Sequence, residues 1–299
     1  MRQEVAGLPR ERKAARLRRP PWRRVLAGVL NYALLLAIFA FAVFPFLWTL
    51  AIAITDKTVG SGISIYAFPQ SLFPKAVTLN NFLEVIEKLH LGKYFLNSVV
   101  ITGLTVAGTL LVSALAAYPL AHMRFPGRNL TFGVIVSTLV LPTEIAFIVN
   151  VLTLRDLGLL GTYLGVVLPT VATAFGIFLM RQAYLAIPST LMEAARIDGA
   201  SEVQILWRVM LPLSLPSLTA LGIFTLVGTW NAYFWPSVAL LTNDELLPMS
   251  VAILKLKGQF NYDSFNVAAG AVIMMIPVLV VFFLAQRFFM RGMEGAVKG

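Results

Sequence analysis

The amino-acid sequence predicts an all-α membrane protein with six transmembrane helices and both termini on the cytoplasmic side. Hydrophobic residues make up 58% of the 299 residues, and charged residues make up 13%, against roughly 25% in a typical soluble domain. The apolar residues occur in runs of twenty or more, long enough to cross a bilayer as a helix. Of the 24 Lys and Arg residues, 17 fall on the side that carries the termini, and such a basic excess marks the cytoplasmic side.

The first element is a basic tail, residues 1–24, with nine Lys and Arg residues. The apolar run that follows is too long for the hydrophobic region of a signal peptide, so we expect the tail to remain attached on the inside. The membrane domain is expected over residues 25–290, and a cytoplasmic C-terminal tail over residues 291–299.

Each of six apolar segments in this domain has the length of a membrane span and is bounded by polar stretches. The predicted spans are residues 25–54, 96–122, 130–152, 161–180, 213–239 and 267–287. Residues 55–95 predict a long loop with one short helix from Asn80 to Leu89. In the second span Ser113, Ala117 and Ala121 recur every four residues, and small side chains at this spacing allow close helix packing.

A polar stretch, residues 181–212, separates spans four and five, and two short helices are expected in it. Thr190 with Glu193, and Ser201 with Gln204, have the spacing of capping boxes, so helices are predicted to start near Leu191 and after Ser201. Gly199 is suited to the left-handed conformation that ends the first helix. In the second helix the helical period places four apolar residues on one face: Val203, Leu206, Trp207 and Met210.

The same stretch carries a spacing that resembles a known family. Glu193-Ala194-Ala195 is followed by Gly199 and then by Val209-Met210-Leu211-Pro212, where the family pattern has Ile at the Val209 position. The stretch resembles the cytoplasmic coupling loop of permease subunits of ATP-binding-cassette importers, and residues 181–212 are called the coupling loop below. The resemblance implies the type I importer permease fold and a bacterial or archaeal inner or plasma membrane.

The resemblance also implies partners and contact residues. In that family a chain of this kind pairs with a second, homologous permease and with two ATPase subunits, and an extracellular or periplasmic solute-binding protein delivers the solute. The residues implied in ATPase coupling are Glu193, Ala194, Ala195, Asp198, Gly199, Ala200 and Pro212. No cofactor is expected on this chain, because ATP and Mg²⁺ are bound by the ATPase partners.

Several chemistries lack the residues they need. The chain has no Cys, which excludes disulfides and thiolate sites, and its two His residues lie in different regions, so no metal site is expected. No phosphate-binding G-x-x-x-x-G-K-[ST] loop occurs. No catalytic triad or carboxylate pair is recognisable, and the basic residues form no nucleic-acid-binding surface. We therefore expect a transport subunit that is not an enzyme and binds no nucleic acid.

Two places are candidates for the solute pathway. Glu144 is the acid placed deep in a span, where a charge is costly; it either contacts the solute route or is a buried Glu satisfied by neighbouring helices. Trp230, Asn231 and Tyr233 combine aromatic faces with an amide, which suits a sugar ring, and an aromatic belt at the membrane interface is the alternative reading. The Trp-Asn pair and the final Gly295-Ala-Val-Lys-Gly299 resemble carbohydrate permeases of the maltose and glycerol-3-phosphate type.

Two other readings stay open on the sequence. One is a permease of the same architecture for a peptide or an anion. The other is an ion-coupled secondary transporter, which usually needs several charges within its spans and an internal repeat. A membrane-embedded transferase is disfavoured, because its catalytic carboxylates and phosphate-binding residues are missing.

Overall fold

The computed structural model describes residues 21–60, 68–88, 90–255 and 263–296. Its contacts divide the chain into two units, residues 1–48 and 49–299. The predicted basic tail falls almost wholly outside the described residues, as do residues 297–299 at the C-terminus. Apart from one isolated bridge between Thr55 and Val77, the described residues contain no strand, and helices build nearly all of the regular structure.

The described residues contain fifteen α-helices, which take their numbers from their order in the chain. They are α1 Pro21–Ala53, α2 Lys57–Gly60, α3 Asn80–Lys88, α4 Leu91–His122, α5 Arg128–Ser137, α6 Phe147–Asp156, α7 Tyr163–Val171, α8 Ala174–Leu185, α9 Ser189–Ile197, α10 Glu202–Ile205, α11 Leu211–Leu213, α12 Leu215–Trp230, α13 Phe234–Ala239, α14 Met249–Lys255 and α15 Ser264–Ala296. A π-helical turn, Leu206–Met210, joins α10 to α11.

Within the part of the chain that the structure describes, three helices are long and apolar enough to cross a membrane: residues 28–53 of α1, the whole of α4, and residues 264–284 of α15. Two bent pairs, α7 with α8 and the segment Glu202–Leu213 with α12, raise the number of candidate spans to five. The predicted spans one, two and six therefore correspond to continuous helices. Six spans and the predicted orientation remain predictions, because the described residues give three to five candidates.

The predicted third span is not one continuous helix. The segment is divided into α5, two short 3₁₀ turns at Thr138–Val140 and Thr143–Ala146, and α6. Leu141, between the two turns, is extended with φ −78° and ψ 129°. The cause is Pro142, because its ring disfavours helical backbone at the preceding residue and proline has no N–H to donate.

Spans four and five also differ from the prediction of single helices. The axes of α7 and α8 differ by 47°, and Thr173 begins α8 by accepting a hydrogen bond from the Gly176 N–H. The segment Glu202–Leu213 meets α12 at 78°. The predicted fifth span, residues 213–239, contains α12, a non-helical break and α13. Proline near each of these breaks removes a backbone donor, which favours an interruption there.

Helix α4 lies at the centre of the second unit, where it packs against α7, α8 and α12. The predicted small-residue row is confirmed, since Ser113, Ala117 and Ala121 are all buried. Gly176 of α8 lies so close that a Cβ there would stand 2.3 Å from Ser113 Oγ. Small residues on both helices therefore allow their backbones to approach closely.

Asn97 and Ser98 of α4 hold the segment that precedes α14. Asn97 Nδ2 donates to the carbonyls of Glu245 (2.9 Å) and Leu247 (3.0 Å), and its Oδ1 accepts from the Tyr163 hydroxyl at 2.7 Å. Ser98 Oγ accepts from the Met249 N–H at 2.8 Å. Because both side chains are buried, these bonds satisfy polar groups that would otherwise be costly within the fold.

The short helix predicted between α1 and α4 is confirmed, since α3 covers Asn80–Lys88, but this stretch also contains the short helix α2 and a 3₁₀ turn at Gln70–Leu72. Asn81 Nδ2 donates to the carbonyls of Ala53 and Thr55, each at 2.8 Å, and so fixes α3 to the end of α1. Lys57 is paired with Glu84 of α3 and, at 2.6 Å, with Asp263 beside α15. This cluster joins three segments that are distant in sequence.

Candidate functional site

The coupling loop begins its first short helix directly after a proline. Pro188 is extended, with φ −57° and ψ 132°, and α9 starts at Ser189 without a side-chain cap. The predicted capping box of Thr190 with Glu193 is therefore wrong, because Thr190 already lies within the helix. Pro188 sets the start instead, since its fixed φ and missing N–H suit the position just before a helix.

Glu193 and Ala194 lie on α9 with exposed side chains, and Ala195 is half-buried. Leu191 is 46% exposed and Ile197 86% exposed. On the other face of the helix Met192 is buried against the membrane helices. The helix therefore presents a mixed surface of charged side chains, Glu193 and Arg196, and apolar ones, Leu191 and Ile197.

The turn after α9 has the predicted left-handed glycine. Gly199 has φ +82°, and its N–H donates to the Arg196 carbonyl at 3.0 Å. The Ala200 N–H donates to the Ala195 carbonyl at 2.9 Å, which completes a Schellman motif with Asp198 as the C-cap. A Cβ on Gly199 would meet nothing within 4 Å, so only the backbone conformation restricts this position.

The second capping box is confirmed. Ser201 N–H donates to Gln204 Oε1 at 2.9 Å, and Gln204 N–H donates to Ser201 Oγ at 3.4 Å. These reciprocal bonds start α10, which passes into the π turn, where the Leu211 N–H bonds the carbonyl of Leu206 five residues back. The segment ends beyond Pro212, which is exposed.

The predicted apolar face of this helix is wrong in half of its members. Leu206 and Met210 are buried as expected, but Val203 is 66% exposed and Trp207 50% exposed. Ile205 is fully buried instead. Met210, five residues later, is buried on the same side, because a π turn contains more residues than an α turn. The sequence is apolar on most sides here, so the helical period alone could not select the face.

The coupling loop is fastened to α4 by a chain of three side chains that the sequence analysis did not identify. Arg196 of α9 donates from Nε to Glu202 Oε1 at 2.8 Å, and Tyr118 of α4 donates its hydroxyl proton to Glu202 Oε2 at 2.5 Å. The hydrogen bond from Arg196 to Glu202 raises the pKa of the guanidinium, which remains charged. Because 84 residues separate Tyr118 from Glu202, no local pattern signals the contact.

Three candidates for the solute pathway, Trp230, Asn231 and Tyr233, lie where α12 ends. Trp230 is buried, its Nε1 donates to the Met274 carbonyl at 3.0 Å, and its ring meets Phe95 edge-on at 5.8 Å. Asn231 is exposed and donates to the Val227 carbonyl at 2.9 Å, and Tyr233 is 46% exposed. A cavity of about 210 Å³ adjoins this segment and is lined by Thr229, Ala232 and Trp235, among others.

The structure brings the stretch that contains Glu144 close to this group. Glu144 belongs to the 3₁₀ turn Thr143–Ala146, and its side chain lies outside what the structure describes. Directly after that turn, the Phe147 ring lies 4.9 Å from Phe234 and 6.1 Å from Trp235. The segment that contains Glu144 and the segment that contains Asn231 and Tyr233 therefore lie close together in the structure, although they are distant in sequence.

Comparison with known proteins places these features in a family. Residues 109–295 match the family model described as "Binding-protein-dependent transport system inner membrane component". The chain is 35% identical over 286 residues to the arabinooligosaccharides transport system permease protein AraQ of Halalkalibacterium halodurans, covering 93% of this chain and 100% of that protein. It is 38% identical to the sn-glycerol-3-phosphate transport system permease protein UgpE of Yersinia pestis over 69% of this chain and 74% of that one.

A solved structure has the same fold. A chain of a bacterial ABC transporter involved in the import of the acidic polysaccharide alginate superposes with a TM-score of 0.76. The two chains are 28% identical, and the match covers 91% of this chain and 99% of the other.

Proposed function

Because the chain belongs to the family of binding-protein-dependent transport system inner membrane components, we propose that it is the permease subunit of an ATP-driven importer for a sugar or a sugar-like solute. The subunit catalyses no covalent reaction and forms half of a translocation pathway in the bacterial inner membrane. The observation that carries the proposal is the 35% identity to an arabinooligosaccharide permease across that protein's full length. The similarity to a glycerol-3-phosphate permease keeps small polyol phosphates among the candidate solutes.

The interrupted segment between α5 and α6 supports a second permease as partner. Non-helical backbone at membrane depth is tolerated where protein covers it or where it lines a wet cavity. Around the interruption the chain exposes large apolar side chains: Val140 at 84%, Leu141 at 60%, Ile145 at 67% and Ile148 at 67%. We propose that a homologous permease covers this surface and that the solute passes between the two chains.

The exposed side of α9 supports an ATPase partner. Glu193, Ala194, Asp198 and Gly199 lie on the surface, while the buried residues of the coupling loop anchor it to the membrane helices. Ile197 is exposed between the charged residues Arg196 and Asp198, which suits a groove with an apolar floor and a charged rim. We propose that two such ATPases bind ATP and Mg²⁺, and that their closure moves the coupling loops and alternates access to the cavity.

The solute route is proposed to pass Glu144, Asn231 and Tyr233. Their stretches meet through Phe147 and Phe234, and Asn231 and Tyr233 have exposed side chains. Trp230 is proposed to flank the route rather than to bind solute through its indole N–H, because that group donates to the Met274 carbonyl.

The test is transport by the assembled complex. The chain is co-expressed with the ATPase, second permease and binding proteins of the same organism and reconstituted in proteoliposomes. Uptake is measured for an arabinooligosaccharide, glycerol 3-phosphate, alginate oligosaccharides and a dipeptide. We expect ATP- and binding-protein-dependent uptake of one of the first three, reduced by Glu144→Gln and Asn231→Ala.

Two results would contradict the proposal. Uptake that follows an ion gradient without ATP would indicate a secondary transporter. ATP-dependent uptake of the dipeptide alone would keep the architecture and reject the sugar assignment.

A further inference from the structure

Tyr118 lies one turn before the end of α4, where it is 4% exposed. Its hydroxyl donates to the carboxylate of Glu202 at the start of α10. The carboxylate of Glu202 also accepts two hydrogen bonds from Arg196 of α9, at 2.8 and 3.3 Å. One carboxylate therefore receives donors from a membrane helix and from the exposed helix of the coupling loop.

The surrounding contacts fasten α4 and α8 to each other. Arg181 Nε donates to the Leu120 carbonyl at 3.0 Å, and the Tyr184 hydroxyl donates to the Ala114 carbonyl at 3.4 Å. The hydroxyl of Tyr118 connects α4 to the coupling loop, because it donates to Glu202 of α10 and also interacts with the Arg196 guanidinium of α9. Movement of α9 can therefore reach α4 along a directed polar path, Arg196 to Glu202 to Tyr118.

Resting on the proposed function, we propose that Tyr118 is a positioning residue that transmits movement of the coupling loop to α4 through its hydroxyl. Hydrogen bonds to a charged group are the strong ones, and this carboxylate is held by two partners at once. Helix α4 packs against α7, α8 and α12, so displacement of its end acts on most of the second unit. Apolar packing of Met192 and Ile205 holds the coupling loop against the membrane helices. The hydrogen bond from the Tyr118 hydroxyl fixes the orientation of the loop relative to α4.

The test replaces Tyr118 by Phe in the full transporter. This change removes one oxygen and keeps the ring, which packs edge-on against Tyr184 with centroids 6.2 Å apart. We expect a complex that assembles and hydrolyses ATP but imports several-fold less solute per ATP. Hydrogen exchange of amides 196–206 should be about tenfold faster or more, since the loss of a bond to a charged group shifts an equilibrium by at least about that factor.

Tyr184→Phe is the matched control. It also removes one hydroxyl from a buried tyrosine of the same cluster, but that hydroxyl bonds to Ala114 within the spans. Solute imported per ATP and exchange of amides 196–206 should match the wild type. The inference is overturned if the two Phe variants behave alike in both measurements.

Glu202→Ala breaks the same contact from the loop, at a side chain that is 38% exposed and so tolerates substitution. The double variant with Tyr118→Phe should be no worse than Glu202→Ala alone, because Glu202→Ala already removes the carboxylate to which the Tyr118 hydroxyl donates. Additive losses would overturn the inference. Hydrogen exchange needs no solute, so failure to import any tested sugar would reject the proposed function and still leave the role of Tyr118 decided.

Discussion

Among single residues of the coupling loop, the sequence predicted some of the structural roles and missed others. Gly199 and the Ser201–Gln204 box were predictable, because each has a local physical cause: a left-handed turn and two reciprocal hydrogen bonds. The box at Thr190 was wrong, since Pro188 two residues earlier determines where α9 starts. The Tyr118–Glu202 contact was not predictable, because it depends on how distant helices pack.

Gly199→Val is expected to cost about 1–3 kcal/mol of local strain, because a β-branched residue is strained at φ +82°. The coupling between ATP hydrolysis and uptake should fall while the spans remain assembled. Gly199→Asn is the control, since Asn tolerates the left-handed region and a Cβ here meets no neighbour within 4 Å. Equal uptake per ATP in both variants would show that this conformation is not required.

At the scale of elements, the continuous helices α1, α4 and α15 were predicted well because long apolar runs mark them. Helix α3 was predicted because apolar residues recur at helical spacing within a polar stretch. The bent and broken spans were not, because hydropathy measures how apolar a segment is and not whether its axis is straight. Pro142 was visible in the sequence, but a proline inside a span either kinks or breaks it, and packing decides which. The face of α10 was missed because Ile205 and Val203 are both apolar, and only tertiary contacts distinguish them.

The contact between α4 and α8 gives a stability prediction. In Gly176→Ala the new Cβ would lie 2.3 Å from Ser113 Oγ and 2.8 Å from Thr173 Oγ1, so these side chains or the helix backbone must shift, at a cost of about 1–3 kcal/mol. Gly103→Ala on α4 has nothing within 4 Å and serves as the control. Thermal unfolding of the purified protein in detergent should show a lower Tm for Gly176→Ala alone. Partial recovery in Gly176→Ala/Ser113→Ala would identify the clash.

The cluster at Lys57 gives a second prediction for the contacts between elements. Burial lowers the pKa of the Lys57 ammonium, but hydrogen bonds and charges from Asp263 and Glu84 outweigh it and leave the pKa raised. The side chain is 31% exposed, so Lys57→Met should cost at most about 1 kcal/mol. Exposed Lys75, which has no ion pair among the described residues, provides the control variant Lys75→Met.

The sign of the pH dependence follows from the raised pKa. The stabilisation by Lys57 is fully present below the unfolded pKa of about 10.4 and is lost as the pH rises through the higher folded value. The Tm difference between wild type and Lys57→Met should therefore stay constant from neutral pH to about pH 9 and shrink above the unfolded pKa. A difference that disappears near neutral pH would contradict this assignment.

At the scale of the whole molecule, the orientation in the membrane is a prediction from the distribution of Lys and Arg. The chain contains no Cys, so single Cys replacements report accessibility without background. Lys75→Cys and Asp244→Cys should react with an impermeant maleimide in intact cells, and Asn129→Cys only after permeabilisation. All three positions are exposed in the structure. Labelling of Asn129→Cys alone in intact cells would reverse the orientation.

The π turn between α10 and α11 implies that the length of the coupling loop is itself constrained. Each residue of an α-helix turns the chain by about 100°. Deleting one residue of the helical segment between Gly199 and Pro212 would therefore rotate α9 by about that angle around the axis of α10. The spacing between Gly199 and Pro212 therefore determines the direction in which α9 faces relative to the membrane helices. Val209 in place of Ile leaves this spacing unchanged, whereas we expect the insertion or deletion of one residue to change the angle of α9 and to lower uptake per ATP.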